Sequence, residues 1–187
     1  MKQDSFFDKL LRWLRRRKVI KYIPKNSIVC DVGCGFDASF LKKISCFTKQ
    51  SVGLDKEINN FKDSNLELKQ IKVFEEIPFG NEVFDVVTMI AVIEHLDYPQ
   101  KILNEAFRIL KQKGKLILTT PTPLAKPILE FLAFKLGVID KNEIGSHKNY
   151  FWTKNIKKML IKSGFKEGSI KNHFFECYLN NLIIAQK

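Results

Sequence analysis

The 187-residue chain is short of the residues that staple or metallate small proteins. Its four cysteines, Cys30, Cys34, Cys46 and Cys177, form no C-x-x-C pair, and only three histidines accompany them. Neither a zinc framework nor a disulfide scaffold fits that spacing, and no metal is expected. Cys30 and Cys34 read as small buried residues flanking a loop. No long uncharged apolar run and no signal-peptide pattern is present, so a reduced, cytoplasmic setting is expected. There is no internal repeat or linker, and residues 1–187 read as one domain. Beyond the N-terminus no cluster of arginines and lysines with interleaved aromatics occurs, which argues against nucleic acid as the main partner.

What the chain does have is apolar content, at 45% enough for a core, and positive charge. Lysine and arginine outnumber aspartate and glutamate by 32 to 20, a formal +12. That balance would suit an anionic partner, but the lysines are spread along the whole chain, and a solvated surface is the preferred reading. Residues 5–22, SFFDKLLRWLRRRKVIKY, read as a helix with Phe6, Leu10, Leu11, Trp13 and Leu14 near one face. Arg12 and the run Arg15-Arg16-Arg17-Lys18 decorate the rest, making residues 1–25 a basic amphipathic segment. Its apolar face needs a cover. Docking on the domain as a wall of the ligand cleft is preferred; peripheral contact of residues 5–22 with an anionic membrane is the alternative.

From Ser27 onward, strand and helix patterns alternate. Ser27–Val32 and Ser51–Leu54 read as buried strands, Leu66–Val73 alternates like one, and Phe84–Ile93 is a further buried run. Helices are expected through Phe40, Leu41 and Ile44, over about residues 56–63, over Pro99–Leu110 and over Thr153–Ser163, with Lys115–Thr120 another strand. The tail reads as two strands turning around residues 178–180. Alternation of this kind means β-α-β units and a parallel sheet covered on both faces, here with a C-terminal antiparallel hairpin.

The stretch SIVCDVGCGFDASFL, residues 27–41, carries a strand into two glycines and then into a helix. Gly33-Cys34-Gly35-Phe36-Asp37-Ala38 also satisfies a loose dinucleotide fingerprint. A dinucleotide would set its pyrophosphate on the helix N-terminus, beside Asp31 and Asp37. Each such close pair of like charges costs on the order of a few kcal/mol. S-adenosylmethionine reverses the sign: it has no phosphate, and its sulfonium and ammonium are cationic. Asp31 can favour that end, the glycines admit a ligand against the backbone, and Asp55 closes the next strand where a carboxylate can accept from both ribose hydroxyls.

With these residues the chain resembles the class I S-adenosylmethionine-dependent methyltransferases, particularly the small type-11-like group. VCDVGCG resembles the first motif of that family and VGLD its ribose-binding acid; IPFGNEVFDVVTMIAVIEHLDYP is similar to its central motif. ILNEAFRILKQKGKLILTTP and HKNYFWTKNIKKMLIKSGF extend the likeness toward the C-terminus. The resemblance implies a doubly wound, mostly parallel, seven-stranded Rossmann-like sheet. It also implies S-adenosylmethionine as cofactor, held by Asp31, Gly33, Gly35, Asp37, Asp55, Phe74, Ile90 and Ala91. Asp37 stands where family members often have a third glycine. Val73 stands where many have an aspartate for the adenine amino group, leaving that contact to apolar packing at Phe74 and to backbone.

Glu94-His95 follows the fourth strand at the ligand-facing edge. His95 is the candidate catalytic residue, a general base for an acceptor hydroxyl or amine, set against a structural pair that orders the next loop. His147 and Tyr150 resemble the family's acceptor-side loop. Residues 123–139 are apolar nearly all round, so they are buried under the tail hairpin or belong to an acceptor-side lid spanning 123–152. The expected activity is methyl transfer to a small molecule or a glycan- or lipid-linked precursor. A nicotinamide-dependent Rossmann oxidoreductase and a basic non-catalytic module for nucleic acid or membrane are the other readings.

Overall fold

The computed structural model describes residues 6–71 and 76–187. Eight strands form one sheet in the order β3-β4-β2-β1-β5-β6-β8-β7. These are β1 (Ile28–Val32), β2 (Gln50–Asp55), β3 (Phe61–Lys62), β4 (Leu66–Gln70), β5 (Phe84–Ile90), β6 (Leu110–Pro121), β7 (Ile170–Phe175) and β8 (Asn180–Gln186). The five strands from β4 to β6 run parallel, and β3, β8 and β7 pair antiparallel. The family likeness implies seven strands; the eighth is the two-residue β3. It lies inside the span 56–63 expected to be helical, where Asp55 instead turns the chain by accepting the Glu57 N–H at 2.9 Å. Asn60 then takes the Gln70 N–H at 2.7 Å, so local side-chain-to-backbone bonds displace the helix.

The strands bury both faces because their apolar side chains alternate between two cores. Cys30, Val52, Leu54, Val87, Met89, Leu116 and Leu118 face α3 (Pro99–Ile109) and α6 (Thr153–Ser163). Val29, Val86, Ile117, Leu182 and Ile184 face α2 (Ser39–Ile44) and the end of α1 (Phe6–Ile20). Helix α6 stops at Gly164, φ +115°, where a Cβ would press on the Phe107 ring. The tail hairpin turns over residues 176–179 rather than 178–180, with Glu176, Cys177 and Tyr178 all at positive φ.

Two apolar segments pack only partly as expected. Helix α1 turns Phe7, Leu10 and Trp13 outward, 38–45% exposed, and directs Arg12, Arg15 and Arg16 toward the domain. Residues 123–139 form α4 (Ala125–Glu130) followed by a π-helical turn, Phe131–Lys135, and then a loop. Leu129, Leu132, Ala133 and Val138 pack with Leu11 of α1 and with Ile144 of α5 (Lys141–Gly145), not under the hairpin, while Leu124, Ile128, Phe131 and Phe134 stay exposed. No helix among the described residues is long and apolar enough to cross a membrane.

Candidate active site

β1 has β2 on one side and β5 on the other, so the strand order reverses between β1 and β5. In open parallel sheets the ligand crevice lies beyond the carboxyl ends of strands at that switch. The loops that leave β1 and β5 meet there, and they carry Gly33, Gly35 and Asp37 on one side and Ala91 and His95 on the other.

Asp31, in β1, is 2% exposed and its Oδ1 accepts the Thr88 hydroxyl of β5 at 2.5 Å. Burial pushes its carboxyl up to about 7, against the downward pull of the Thr88 bond and of Arg16. Gly33 and Gly35 both sit at φ +77°. A side chain at Gly33 would overlap Val92, whereas at Gly35 the nearest atom is Asp37 Oδ1 at 3.9 Å, so the space over that backbone is open. Gly35 donates its N–H to Asp55 Oδ2 at 2.8 Å, which fixes the carboxylate at the end of β2 against the loop. Asp37 Oδ1 accepts the Ser39 N–H at 3.2 Å and its hydroxyl at 3.0 Å. Burial pushes the Asp37 carboxyl up, but those two bonds and the charges of Arg16 and Arg12 outweigh it and hold it below its ordinary value. Ala91, just past β5, is held at φ +56° by donating its N–H to Thr119 O at 3.0 Å. Val73 and Phe74 lie outside the described residues.

The residues expected on the acceptor side converge from distant parts of the chain. The His95 and His147 rings meet edge to face at 4.8 Å, and His147 Nδ1 lies 3.0 Å from the Tyr150 hydroxyl. Backbone N–H groups of Lys148 and Asn149 donate to the Glu94 carbonyl, tying this loop to the turn after β5. His95 Nδ1 is 3.3 Å from the Ser146 carbonyl and 3.0 Å from its hydroxyl. A carbonyl only accepts, so the tautomer that satisfies it carries its proton on Nδ1 and leaves the lone pair on Nε2. Burial lowers the pKa of both imidazoles, His147 to about 4. Each ring is therefore neutral near pH 7. The Tyr150 phenol, pushed up to about 12 by burial, is neutral as well.

Two cavities share Gly33 and Ala91. One, about 170 Å³, runs between Asp31, Gly35, Asp37 and the arginines of α1; the other, about 480 Å³, runs from Asp55 past His95 to Ser146 and Lys148. The first sets a buried acid poised near neutrality among three arginines: the arginines offer cations to a negative group, and the acid ionises when a positive one is brought beside it. S-adenosylmethionine carries such a group next to its sulfonium, so the residues present fit it. Glu94, His95 and His147 also bring potential ligand atoms within 4.8 Å of one another, but the Arg15 charge that helps depress both imidazoles opposes a metal cation there. From sequence, Arg12, Arg15 and Arg16 read as the outer side of the N-terminal helix rather than as part of the site, and nothing singles out Ser146 or Lys148.

A family model described as a methyltransferase domain matches residues 4–167, and the chain belongs to that family. A ubiquinone biosynthesis O-methyltransferase of Candida albicans is 34% identical over 120 residues, 57% of this chain and 36% of that one. The chain spans less than two thirds of the length of the first curated relatives it matches. Among solved structures, a chain of the Haloferax volcanii complex that contains the Trm112 methyltransferase activator superposes with TM-score 0.77 at 12% identity, covering 100% of this chain and 99% of that one. A SAM-dependent methyltransferase from Archaeoglobus fulgidus gives TM-score 0.70 at 19% identity, covering 94% of each. At those identities the structural likeness speaks for the fold. With the family match, it makes this a class I S-adenosylmethionine-dependent methyltransferase domain.

Proposed function

We propose that the protein transfers a methyl group from S-adenosylmethionine to an acceptor bound at the junction of the two cavities, where His95, His147 and Tyr150 line the acceptor side. The observation that carries this reading is the set Asp31, Gly33, Gly35 and Asp55, aligned on the strand ends at the switch between β1 and β5. When bound, the cofactor supplies an electrophilic methyl on a sulfonium. Asp31 faces its ammonium end, Gly33 and Gly35 let the backbone approach, and Asp55 accepts from the ribose hydroxyls. Asp37, Ile90 and Ala91 border the methionine end, with Phe74 beside the adenine. Helix α1 acts as a lid over the smaller cavity and residues 123–152 as the acceptor-side lid. His95, neutral and with Nε2 unprotonated, takes the proton that an acceptor hydroxyl or amine must lose. Most of the rate comes from in-line positioning and exclusion of water.

Relatives differ in acceptor: one is named for ubiquinone biosynthesis and another for tRNA U34. A small molecule or a glycan- or lipid-linked precursor fits the enclosed site better than a polynucleotide, because its arginines face inward to the cavity. Calorimetry tests the cofactor: S-adenosylhomocysteine should bind and NAD should not, and comparable NAD affinity would sink the assignment. Asp55→Ala should weaken S-adenosylhomocysteine by about 1–3 kcal/mol. Unchanged affinity would mean that the ribose is held elsewhere.

A further inference from the structure

Helix α1 and residues 124–136 turn apolar side chains to solvent on one shared face. Leu11 of α1 packs with Leu129, Leu132 and Val138, so the two segments lie side by side. On the outward side, Leu10 and Trp13 stand three residues apart in α1. Leu124, Ile128, Phe131 and Phe134 recur at spacings of three and four, which makes each set one helical stripe. These six side chains are 38–54% exposed. A large apolar side chain covers on the order of 200 Å² when fully buried, so together they leave on the order of 500 Å² of apolar surface uncovered. That is the upper part of the range for the largest patch on a soluble monomer, about 300–600 Å². It also matches one side of a homodimer contact, about 800 Å² in all, of which about 65% is apolar.

We propose that a second copy of the chain docks on this face, in a two-fold contact that lays α1 of each copy on residues 124–136 of the other. The face is independent of the methyltransferase reading. Charge selects that arrangement. Helix α1 has six basic residues against one acid, so α1 against α1 would repel, whereas residues 124–136 hold two lysines and one glutamate. The Arg17 guanidinium lies over the Trp13 ring at 5.2 Å, one turn along the same stripe. Glu130 is half exposed, one turn before Phe134, and its partner within the chain, Lys126, is 4.0 Å away, a weak surface pair. In the two-fold contact Arg17 of each copy meets Glu130 of the other. The stripe suits a bilayer poorly, because Arg17 is in line with Trp13 and would be drawn out of water with it. Tryptophan beside arginine is instead what concentrates binding energy at protein interfaces. The arginines on the opposite side of α1 line the smaller cavity, so the contact would also brace that wall from outside.

Sedimentation equilibrium on the full chain tests the contact. Wild type should be dimeric at concentrations of about 0.1 mM and dissociate on dilution. Phe131→Ser and Trp13→Ser should each raise the dimer dissociation constant at least about tenfold. Both side chains are exposed, so circular dichroism should show the fold unchanged; if either variant does not fold, Ile128→Ser replaces it with the same expected loss. Arg17→Glu and Glu130→Arg should each weaken the dimer as well, and the chain carrying both changes should recover most of the lost affinity, since the opposite charges then meet again. A wild type that stays monomeric up to about 0.1 mM would overturn the proposal. If that monomer also sediments with phosphatidylserine vesicles, the face belongs to a membrane instead. A dimer that Phe131→Ser and Trp13→Ser leave untouched would be built on another surface and would refute it too. A double charge variant no tighter than either single one would refute the crossed arrangement.

Discussion

Asp31 makes the site's electrostatics measurable. Its carboxyl has an ordinary value of 3.8 and is pushed up to about 7 by burial. Below pH 3.8 the group is protonated in both folded and unfolded chains and contributes nothing to pH dependence. Between 3.8 and about 7 the unfolded chain ionises while the folded one keeps its proton, so folding stability falls as pH rises; above about 7 the loss is complete. About 3 pH units at about 1.36 kcal/mol each make the cost on the order of 4 kcal/mol. Asp31→Asn keeps an oxygen for the Thr88 hydroxyl and removes the ionisation. Urea denaturation of the ligand-free protein at pH 5, 7 and 8.5 should show the variant gaining on wild type with rising pH. Taking the difference between the two proteins matters. His147, lowered to about 4 from 6.5, contributes stability that is lost as pH falls through that window, and it does so in both.

The same group should couple to the ligand. On the proposed reading S-adenosylhomocysteine brings an ammonium to Asp31, so its binding should strengthen with pH up to about 7 and release protons below that. Asp31→Asn should bind it at least about tenfold more weakly and without the pH dependence. Arg16→Gln removes a charge that lowers the Asp31 carboxyl, so its stability inflection should move to higher pH. A difference curve flat between pH 5 and 8.5 would refute the claim that Asp31 is a buried acid awaiting a cation.

The other two expectations concern catalysis and the lid. His95→Ala should lower turnover modestly with cofactor affinity intact, and the acid limb of the wild-type pH–rate profile should fall below 6.5, since burial lowers this imidazole. A loss of about a hundredfold or more would make proton transfer, not positioning, the main source of rate. On the lid reading, α1 should show no salt-sensitive sedimentation with anionic vesicles. Sedimentation that Trp13→Ser abolishes would instead assign the exposed Phe7, Leu10 and Trp13 face, with Arg17 and Lys18 beside it, to a membrane.

Much of the sheet is legible because a buried parallel strand has one requirement, apolar residues on both faces, and IVCDV and FDVVTMI meet it without competition. Helix α6 is legible at both ends, its stop written in Gly164. The span 56–63 is not, because its fate is decided by Asp55 and Asn60 bonding to backbone as far away as Gln70. Nor is the hairpin turn, where Glu176, Cys177 and Tyr178 all adopt a left-handed backbone that none of them favours. In the site, the loop residues could be placed from strand ends alone. The contact of His95 with His147 joins loops 52 residues apart, a distance over which sequence pattern is silent.

Helix α1 shows where hydrophobic periodicity gives the wrong answer and charge gives the right one. Its apolar residues, Leu10 and Trp13 among them, mark a face that should be buried if area alone decided. The surface it meets, however, holds Asp31 and Asp37, and burying these beside an apolar helix would leave carboxylates without partners in a low-dielectric crevice. Turning Arg12 and Arg16 inward supplies counter-charge, and their methylene stems still cover apolar wall. Leu11 and Val19 keep enough of the hydrophobic contact to dock the helix, in two separate clusters. A helix held this way is fixed at its C-terminal end by Val19 and, farther toward its N-terminus, by charges that a bound ligand alters. On the lid reading proposed above, cofactor and acceptor would be part of what closes it.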